Sequence, residues 1–196
     1  MDPQKQRIRA FFDRLAPEWD AGTVRPEAVI ARILDNGGVR PGVSVLDVGC
    51  GTGVLIGDYL ARGAASVTGV DLSPEMLRRA EAAYPQPQVR FLLADAETDP
   101  LGGPYDCVMV YNAFPHFPHP ALLLARLGAA VKPGGILSVA HGMSRATLAA
   151  HHANVPAGVS LELPEAEALA TLFPADFTVT TLISDEEMYQ VAARRT

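Results

Sequence analysis

The sequence has few cysteines, no excess of basic residues and no long apolar run. Two cysteines in 196 residues exclude a disulfide framework. We expect Cys50 and Cys107 to lie toward opposite ends of their strands and to be unpaired. The net charge of −6 argues against a phosphate-binding surface, so we predict no nucleic-acid partner. The longest apolar stretch, residues 121–131, is interrupted by Arg126 and is too short to span a bilayer, so we predict no membrane partner.

The composition is that of a packed domain with a small or uncharged partner. Hydrophobic residues make up 48% of the chain and charged residues 19%, which suits a buried core. We expect a single domain over residues 1–196, with a helical cap over 1–40 and a core over 41–196, as a monomer or a homodimer. Residues 1–20 are charged throughout and lack the apolar core of a signal peptide, so we predict a cytoplasmic protein.

From about residue 43 short apolar runs alternate with amphipathic stretches. This alternation predicts an α/β fold, a parallel sheet with helices on both faces. The predicted strands are 44–49, 66–71, 89–95, 105–112 and 136–142, with helices near 54–62, 73–84 and 119–131. The tail predicts a helix over 164–173 and two strands, 177–184 and 188–195, whose short acidic link permits only antiparallel pairing. A helix over 7–20 is predicted to cap the sheet edge.

A glycine-rich loop follows the first predicted strand. The segment LDVGCGTGV has glycines at 49, 51 and 53, which allow positive φ angles and close approach of a ligand. A helix that starts there also offers free N–H groups to a polar ligand. The dinucleotide fingerprint requires a glycine where Val54 stands, so the spacing disfavours an NAD-type oxidoreductase.

Acidic residues end the next two predicted strands. Asp71 can accept both hydroxyls of a ribose, and Asp95 can accept an exocyclic amine. Leu72 and Met76 can sandwich a base. A loop aspartate can also cap a helix, which is the alternative for Asp71 alone, but carboxylates at successive strand ends beside a glycine loop favour a ligand site.

These motifs resemble those of the class I S-adenosylmethionine-dependent methyltransferases, in particular the subgroup around the quinone-ring and other small-molecule enzymes. VLDVGCGTG is similar to their first motif, GVDLS to their ribose-binding segment and LLADAE to their adenine-binding segment. YDCVMVYNAFPHF and VKPGGILSVAHG resemble the segments at their fourth and fifth strands. The resemblance covers roughly residues 40–195. It implies a Rossmann-like seven-stranded sheet of order 3-2-1-4-5-7-6 with an antiparallel seventh strand.

The resemblance also implies which residues hold S-adenosylmethionine and its product S-adenosylhomocysteine. They are Asp47, Gly49, Gly51, Gly53, Asp71, Leu72, Met76, Asp95, Ala96, Asn112, Trp19 and Asp20. Asp47 and the glycines would hold the methionine moiety, and Trp19 with Asp20 would close over the cofactor. At Asn112 the tetrad NAFP replaces the NPPY-type motif of amine-directed relatives, which favours a small-molecule acceptor.

All five histidines lie between residues 116 and 152. His116 follows the fourth predicted strand and His141 ends the fifth, so both are candidates for a base or a substrate-orienting residue. The alternatives are that His116 packs against the cofactor and that His141 bonds a backbone group. His119 is expected to start a helix, and at most one of His151 and His152 can face the pocket. A metal site made by three of these histidines is left open, although the spacing matches no zinc signature.

The sequence therefore predicts methyl transfer from S-adenosylmethionine to a small molecule, with an O-, S-, N- or C-nucleophile left open. An insert near 142–164 is expected to roof the acceptor pocket together with the N-terminal helix. Arg145 in that insert could clamp an acidic substrate or could simply be solvated. The alternative from another functional class is a non-catalytic S-adenosylmethionine-binding sensor or partner protein.

Overall fold

One seven-stranded sheet with helices around it makes up the computed structural model, which describes residues 2–21, 25–153 and 155–196. The strands are β1 Ser44–Val48, β2 Ser66–Asp71, β3 Val89–Leu93, β4 Tyr105–Tyr111, β5 Val131–His141, β6 Phe177–Ser184 and β7 Tyr189–Arg195. The helices are α1 Pro3–Leu15, α2 Glu27–Asn36, α3 Ile56–Ala61, α4 Pro74–Ala83, α5 Pro120–Ala129, α6 Arg145–His152 and α7 Ala166–Ala170. Short 3-10 turns cover Ala16–Glu18 and Phe114–His116.

The strand order is β3-β2-β1-β4-β5-β7-β6, which confirms the predicted order. The first five strands pair in parallel, and β7 runs antiparallel to both β5 and β6. The chain moves outward in opposite directions from β1 and β4, so the loops that follow these two strands diverge. In open α/β sheets such a switch point leaves a crevice beyond the carboxyl ends of the strands.

Local sequence signals set several helix starts. Asp2 caps α1 by accepting the N–H groups of Gln4 and Lys5, and Ser73 caps α4 by accepting the N–H of Met76 at 3.1 Å. Pro74 occupies the first turn of α4, where a missing N–H costs nothing. Ser144 caps α6 in the same manner as Ser73 caps α4. These caps fix where the first turn of each helix lies relative to the strand ends.

The core lies on both faces of the sheet. Successive residues of a strand point to opposite faces, so Val45 packs in the cluster with Ile33 of α2, whereas Leu46 packs in the cluster with Leu123 of α5. Cys50 and Cys107 are buried and unpaired, as predicted. Among the residues described above, no helix combines the length and the apolar character that crossing a bilayer requires.

The structure differs from the sequence prediction mainly at the ends of elements. The strand β5 begins at Val131 rather than at 136, because Val131 already pairs with Tyr105 of β4. The predicted turn at 132–135 is a register shift within the strand, after which the pairing resumes at Ile136. The tail helix is shorter than predicted, only Ala166–Ala170. The N-terminal helix starts earlier than predicted, at Pro3, and gives way to a 3-10 turn after Leu15.

Candidate functional site

A cavity lies beyond the carboxyl ends of β1, β2, β3 and β4, beneath α1. It is lined from the sheet by Gly49, Gly51, Val70, Asp71, Leu72, Met76, Ala94, Asp95, Ala96, Asn112, Ala113, His116, Phe117 and Pro118, and from the N-terminal segment by Lys5, Ile8, Phe12 and Trp19. The predicted cofactor residues therefore line one cavity, with the exception of Asp47, Gly53 and Asp20.

The glycine loop needs its glycines for two different reasons. Gly49 and Gly51 have φ angles of 71° and 55°, in the left-handed region that favours glycine. A Cβ on Gly49 would lie 2.6 Å from the Cβ of Ala113, so the absent side chain allows the β1 and β4 ends to approach each other. Of the residues that the structure describes, a Cβ on Gly51 would meet only Trp19, at 3.8 Å, on the cavity side. The loop thus presents bare backbone to the cavity.

Two residues predicted for the methionine subsite lie outside the cavity lining. At Gly53 a Cβ would lie 2.8 Å from the ring of Tyr84, so this glycine allows the loop to pack against that ring. Asp47 is only 1% exposed, and its Oδ2 has no hydrogen-bond partner among the described residues. Burial and the nearby charge of Asp71 raise the pKa of Asp47 to about 7. The buried hydroxyl of Tyr59 works to lower this pKa, so the Asp47 carboxyl lies close to that hydroxyl, two residues before Gly49.

Asp71 organises the end of the cavity where ribose hydroxyls are predicted to bind. Its Oδ2 accepts the N–H of Gly51 at 2.8 Å and its Oδ1 accepts the N–H of Ser73 at 2.9 Å. Ser73 in turn donates its hydroxyl to Asp13 of α1 at 2.6 Å. Burial raises the pKa of Asp71, against the lowering effect of the backbone donors. Asp71 thus holds the glycine loop and the start of α4 together while it lines the cavity.

Sequence reasoning missed two charged residues beside Asp95, namely Lys5 and Glu97. Lys5 of α1 is 4% exposed, and its Nζ lies 2.6 Å from Asp95 Oδ2 and 2.6 Å from Glu97 Oε2. Burial works to lower the pKa of Lys5, but its two carboxylate partners outweigh this and the pKa is raised. The signal that could have found Lys5 is its helical spacing with Ile8 and Phe12, which places all three on one face of α1.

His116 lies on the opposite wall, in the 3-10 turn that follows β4. Its Nδ1 lies 3.0 Å from the carbonyl oxygen of Val159. A carbonyl only accepts, so Nδ1 carries the proton and Nε2 has the lone pair. Burial lowers the pKa of His116 to about 4, so the ring is neutral near pH 7. The ring packs edge-on against Phe12, with centroids 4.8 Å apart.

His141 is buried away from the cavity. It has no exposed surface, and neither ring nitrogen has a hydrogen-bond partner among the described residues. Its ring lies 6.1 Å from that of Tyr189, its register partner on β7. Burial lowers the pKa of His141 to about 3. The structure thus separates the two predicted candidates: His116 lines the cavity and His141 does not.

The remaining histidines take different positions. His119 precedes the first residue of α5 and donates its backbone N–H and its Nδ1–H to the Glu97 carboxylate. On α6 only His152 faces inward, as expected for adjacent helix residues: its ring lies 5.3 Å from that of His116, and its Nδ1 is 2.8 Å from Ser160 Oγ. His151 is exposed. Over residues 2–21, 25–153 and 155–196 no group of histidine, cysteine or acidic side chains is arranged to hold a metal ion.

The N-terminal segment contributes to the cavity lining, whereas the segment after α6 adjoins the lining through its bonds to the turn that carries His116. Asp20 accepts the hydroxyl of Thr52 at 2.7 Å, which ties the N-terminal segment to the glycine loop. Leu161 donates its N–H to the carbonyl of Pro115 at 2.7 Å, next to the bond between His116 and Val159. Val159 and Leu161 therefore bond the 3-10 turn that carries His116, while Phe12 of α1 packs against the same histidine ring.

A second cavity, of about 260 Å³, lies within the segment predicted as a roof. Its lining includes Arg145, Leu148, His152, Ser160 and Leu161. The guanidinium of Arg145 donates to the carbonyl oxygen of Leu163 and to Glu165. Arg145 is thus occupied by its own chain rather than aimed at a ligand.

Comparison with known proteins agrees with this geometry. Residues 45–135 match a family described as "Methyltransferase domain". The 2-methyl-6-phytyl-1,4-hydroquinone methyltransferase of Synechocystis sp. is 41% identical over 106 residues, which cover 51% of this chain and 32% of that protein. The ubiquinone biosynthesis O-methyltransferase of Xanthomonas campestris pv. campestris is 32% identical over 155 residues, which cover 77% of this chain and 58% of that protein. The chain thus spans less than two thirds of the length of these relatives.

Solved structures share the fold along the whole chain. Magnesium protoporphyrin IX methyltransferase from Synechocystis PCC 6803, with bound S-adenosylmethionine, has a TM-score of 0.71 at 21% identity, over 100% of this chain and 99% of that one. The [4+2]-cyclase SpnF has a TM-score of 0.78 at 17% identity, over 100% of this chain and 97% of that one. At such identities the likeness concerns the fold alone.

Proposed function

We propose that this chain, which belongs to the class I S-adenosylmethionine-dependent methyltransferases, transfers a methyl group from S-adenosylmethionine to a hydroxyl of a small aromatic acceptor. The observation that carries the proposal is a single cavity with two chemically different walls. One wall has bare glycine backbone and the carboxylates of Asp71 and Asp95, and the other has the neutral ring of His116. The acceptor class is supported by the relatives named as hydroquinone and ubiquinone-pathway methyltransferases.

The first wall fits the polar groups of S-adenosylmethionine. Asp71 would accept the ribose hydroxyls, and Asp95 would accept the adenine amine between the apolar side chains of Leu72 and Met76. Asp47 lies outside this lining, and its Oδ2, which accepts no hydrogen bond within residues 2–21, 25–153 and 155–196, would suit a donor such as the ammonium of the methionine moiety. The backbone of Gly49 and Gly51 leaves room for the chain of that moiety. Asn112, Ala96 and Trp19 complete the lining.

The second wall fits an acceptor hydroxyl. S-adenosylmethionine supplies an electrophilic methyl group on a sulfonium, whose leaving group is a neutral thioether. The acceptor oxygen forms the new bond to carbon, the electron pair of the broken C–S bond stays on sulfur, and the hydroxyl proton passes to Nε2 of His116. With a pKa of about 4, His116 first orients the hydroxyl as a hydrogen-bond acceptor and takes the proton only as charge leaves the oxygen.

The low pKa of His116 favours an acidic hydroxyl. A phenol or enol loses its proton far more readily than an alkyl alcohol does, so it suits a weak base. The aromatic rings at this wall also suit a flat acceptor: Phe12 packs against both Trp19, at 5.7 Å, and His116, at 4.8 Å. Positioning and exclusion of water by α1 and residues 155–163 would supply the rest of the rate enhancement.

The variant His116→Asn tests the second wall. An asparagine amide can keep the bond to Val159 but has no counterpart of Nε2. We expect methyl transfer to fall about a hundredfold, with S-adenosylhomocysteine affinity unchanged within about threefold. The measurements are labelled-methyl transfer across phenols, thiols, amines and carboxylates, and isothermal titration with S-adenosylhomocysteine and, separately, NAD. His151→Asn, at an exposed histidine on α6, is the matched control.

Other outcomes would contradict either the proposed role of His116 or the proposed catalytic activity. Loss of cofactor affinity in His116→Asn would make His116 part of the cofactor wall and not a base. Binding of S-adenosylhomocysteine without methyl transfer to any acceptor in the panel would favour the non-catalytic binding protein. If the rate of methyl transfer depended on an ionisation near pH 6.5 that disappears in His116→Asn, this would contradict a buried base, since the pKa of His116 lies near 4.

A further inference from the structure

Lys5 reaches from α1 into the cavity at the end where the base of the cofactor would lie. Its side chain is 6% exposed, and those of its partners Asp95 and Glu97 are 12% and 0% exposed. The same helix also carries an ordinary surface ion pair, Arg9 with Asp13 at 3.5 Å, with side chains 41% and 27% exposed. A surface pair would suffice to hold a helix, and burying a charge is costly. The burial of Lys5 therefore points to a role inside the cavity.

The carboxylates that hold Lys5 are themselves fixed by the chain. Asp95 Oδ1 accepts the N–H of Glu97 at 3.0 Å. Glu97 accepts the backbone N–H of His119 at 2.7 Å and its Nδ1 at 3.0 Å. The ammonium of Lys5 is thus placed by a rigid frame that includes the loop after β3 and the start of α5. It lies in the cavity lining beside Asp95 and Ala96.

An ammonium has three N–H donors, and in the described part of the chain two are directed at Asp95 and Glu97. We infer that the third N–H of Lys5 donates to a ring nitrogen of the adenine beside the exocyclic amine, N1 or N7, while Asp95 accepts from that amine. This inference rests on the proposed function, because it requires an adenine-bearing cofactor. Lys5 and Asp95 together would then read one donor–acceptor edge of the base.

A consequence concerns which base the cavity would select. Lys5 belongs to α1, which also contributes Ile8 and Phe12 to the cavity lining. A base with the matching edge would add a bond to α1, whereas a 6-oxopurine would turn a carbonyl oxygen toward the Asp95 carboxylate and, at the N1 edge, an N–H toward Lys5. The N-terminal helix would therefore act as a specificity element for adenine.

The test is a thermodynamic cycle that combines the variant Lys5→Met with removal of a single ring nitrogen from the ligand. Isothermal titration measures wild type and variant with S-adenosylhomocysteine and with its 1-deaza and 7-deaza analogues. We expect wild type to bind one analogue about tenfold more weakly than S-adenosylhomocysteine. Lys5→Met should lose about tenfold toward S-adenosylhomocysteine and nothing further toward that analogue, because the bond is already absent.

Controls separate base recognition from helix packing. Arg9→Met, at the surface pair of the same helix, should keep the wild-type pattern. If the affinity losses caused by Lys5→Met and by each nitrogen removal are independent, so that the fold-changes multiply for both analogues, Lys5 supports only the helix. That result would overturn the inference. If Lys5→Met does not fold, equal affinity of wild type for all three ligands overturns it alone. Absence of S-adenosylhomocysteine binding by wild type would instead contradict the proposed function itself.

Discussion

The two walls of the cavity are built from different kinds of contact. The cofactor wall joins residues at the ends of neighbouring strands: Asp71 at the end of β2 accepts the N–H of Gly51 after β1 and that of Ser73 two residues on. The histidine wall joins distant segments, since His116 bonds Val159 and packs against Phe12. Strand-end motifs specify the first wall, whereas the second exists only once three parts of the chain have met.

The largest effect on the first wall is expected when the carboxylate of Asp71 is removed. Asp71→Ala leaves the N–H groups of Gly51 and Ser73 without their acceptor and removes the expected ribose acceptor. We expect affinity for S-adenosylhomocysteine to fall about a hundredfold, or about 3 kcal/mol, measured by isothermal titration. Asp176→Ala, at an ion pair with Arg195 on the distant sheet edge, is the control. Unchanged affinity in Asp71→Ala would remove the ribose assignment.

A second prediction compares buried His141 with exposed His151. The pKa of His141 is about 3 in the folded protein, against about 6.5 when unfolded. The unfolded state therefore binds more protons between these values, and the free energy of unfolding falls as pH falls through this window. Between pH 7 and pH 5 His141 should account for about 2 kcal/mol of that loss.

Thermal melts at the two pH values measure this effect. In His141→Leu the drop in melting temperature between pH 7 and pH 5 should be smaller than in wild type by about 4–8 °C. His151→Leu should match wild type, because that side chain is exposed. Equal drops in all three proteins would mean that His141 gains a proton in the folded state as readily as in the unfolded state.

The smallest expected effect concerns the hydrogen bond between the glycine loop and the N-terminal segment. Thr52 in the glycine loop donates its hydroxyl to Asp20 of the N-terminal segment at 2.7 Å. Thr52→Val keeps the side-chain shape and removes this bond, so S-adenosylhomocysteine affinity should fall about threefold. Isothermal titration measures the change, with Thr178→Val on the edge strand β6 as the control. A loss as large as that of Asp71→Ala would show that the N-terminal segment, rather than the strand ends, provides most of the cofactor wall's binding energy.

The sequence predicted the sheet and the polar groups at its strand ends because both follow from local rules. Apolar runs separated by amphipathic stretches determine a parallel sheet, and Asp71 and Asp95 must then lie at its carboxyl edge. Sequence periodicity could not predict that β5 begins at Val131, since a register shift against β4 depends on the partner strand. Lys5 was missed because a lysine in an amphipathic helix is ordinarily solvated.

The sequence by itself determined the alternation of strands and helices, the glycine loop and the carboxylates beside it, because strand-end positions are set by the chain's own periodicity. The order of the strands followed from the resemblance to the methyltransferase family. Only the tertiary structure decided between the histidines. His116 follows β4 and His141 ends the adjacent strand β5, and the two look equivalent in sequence. Yet His116 lines the cavity with Nδ1 fixed by Val159, while His141 is enclosed against Tyr189. The reason is physical: whether a side chain at a strand end meets a cavity or a core depends on which distant segment packs over it.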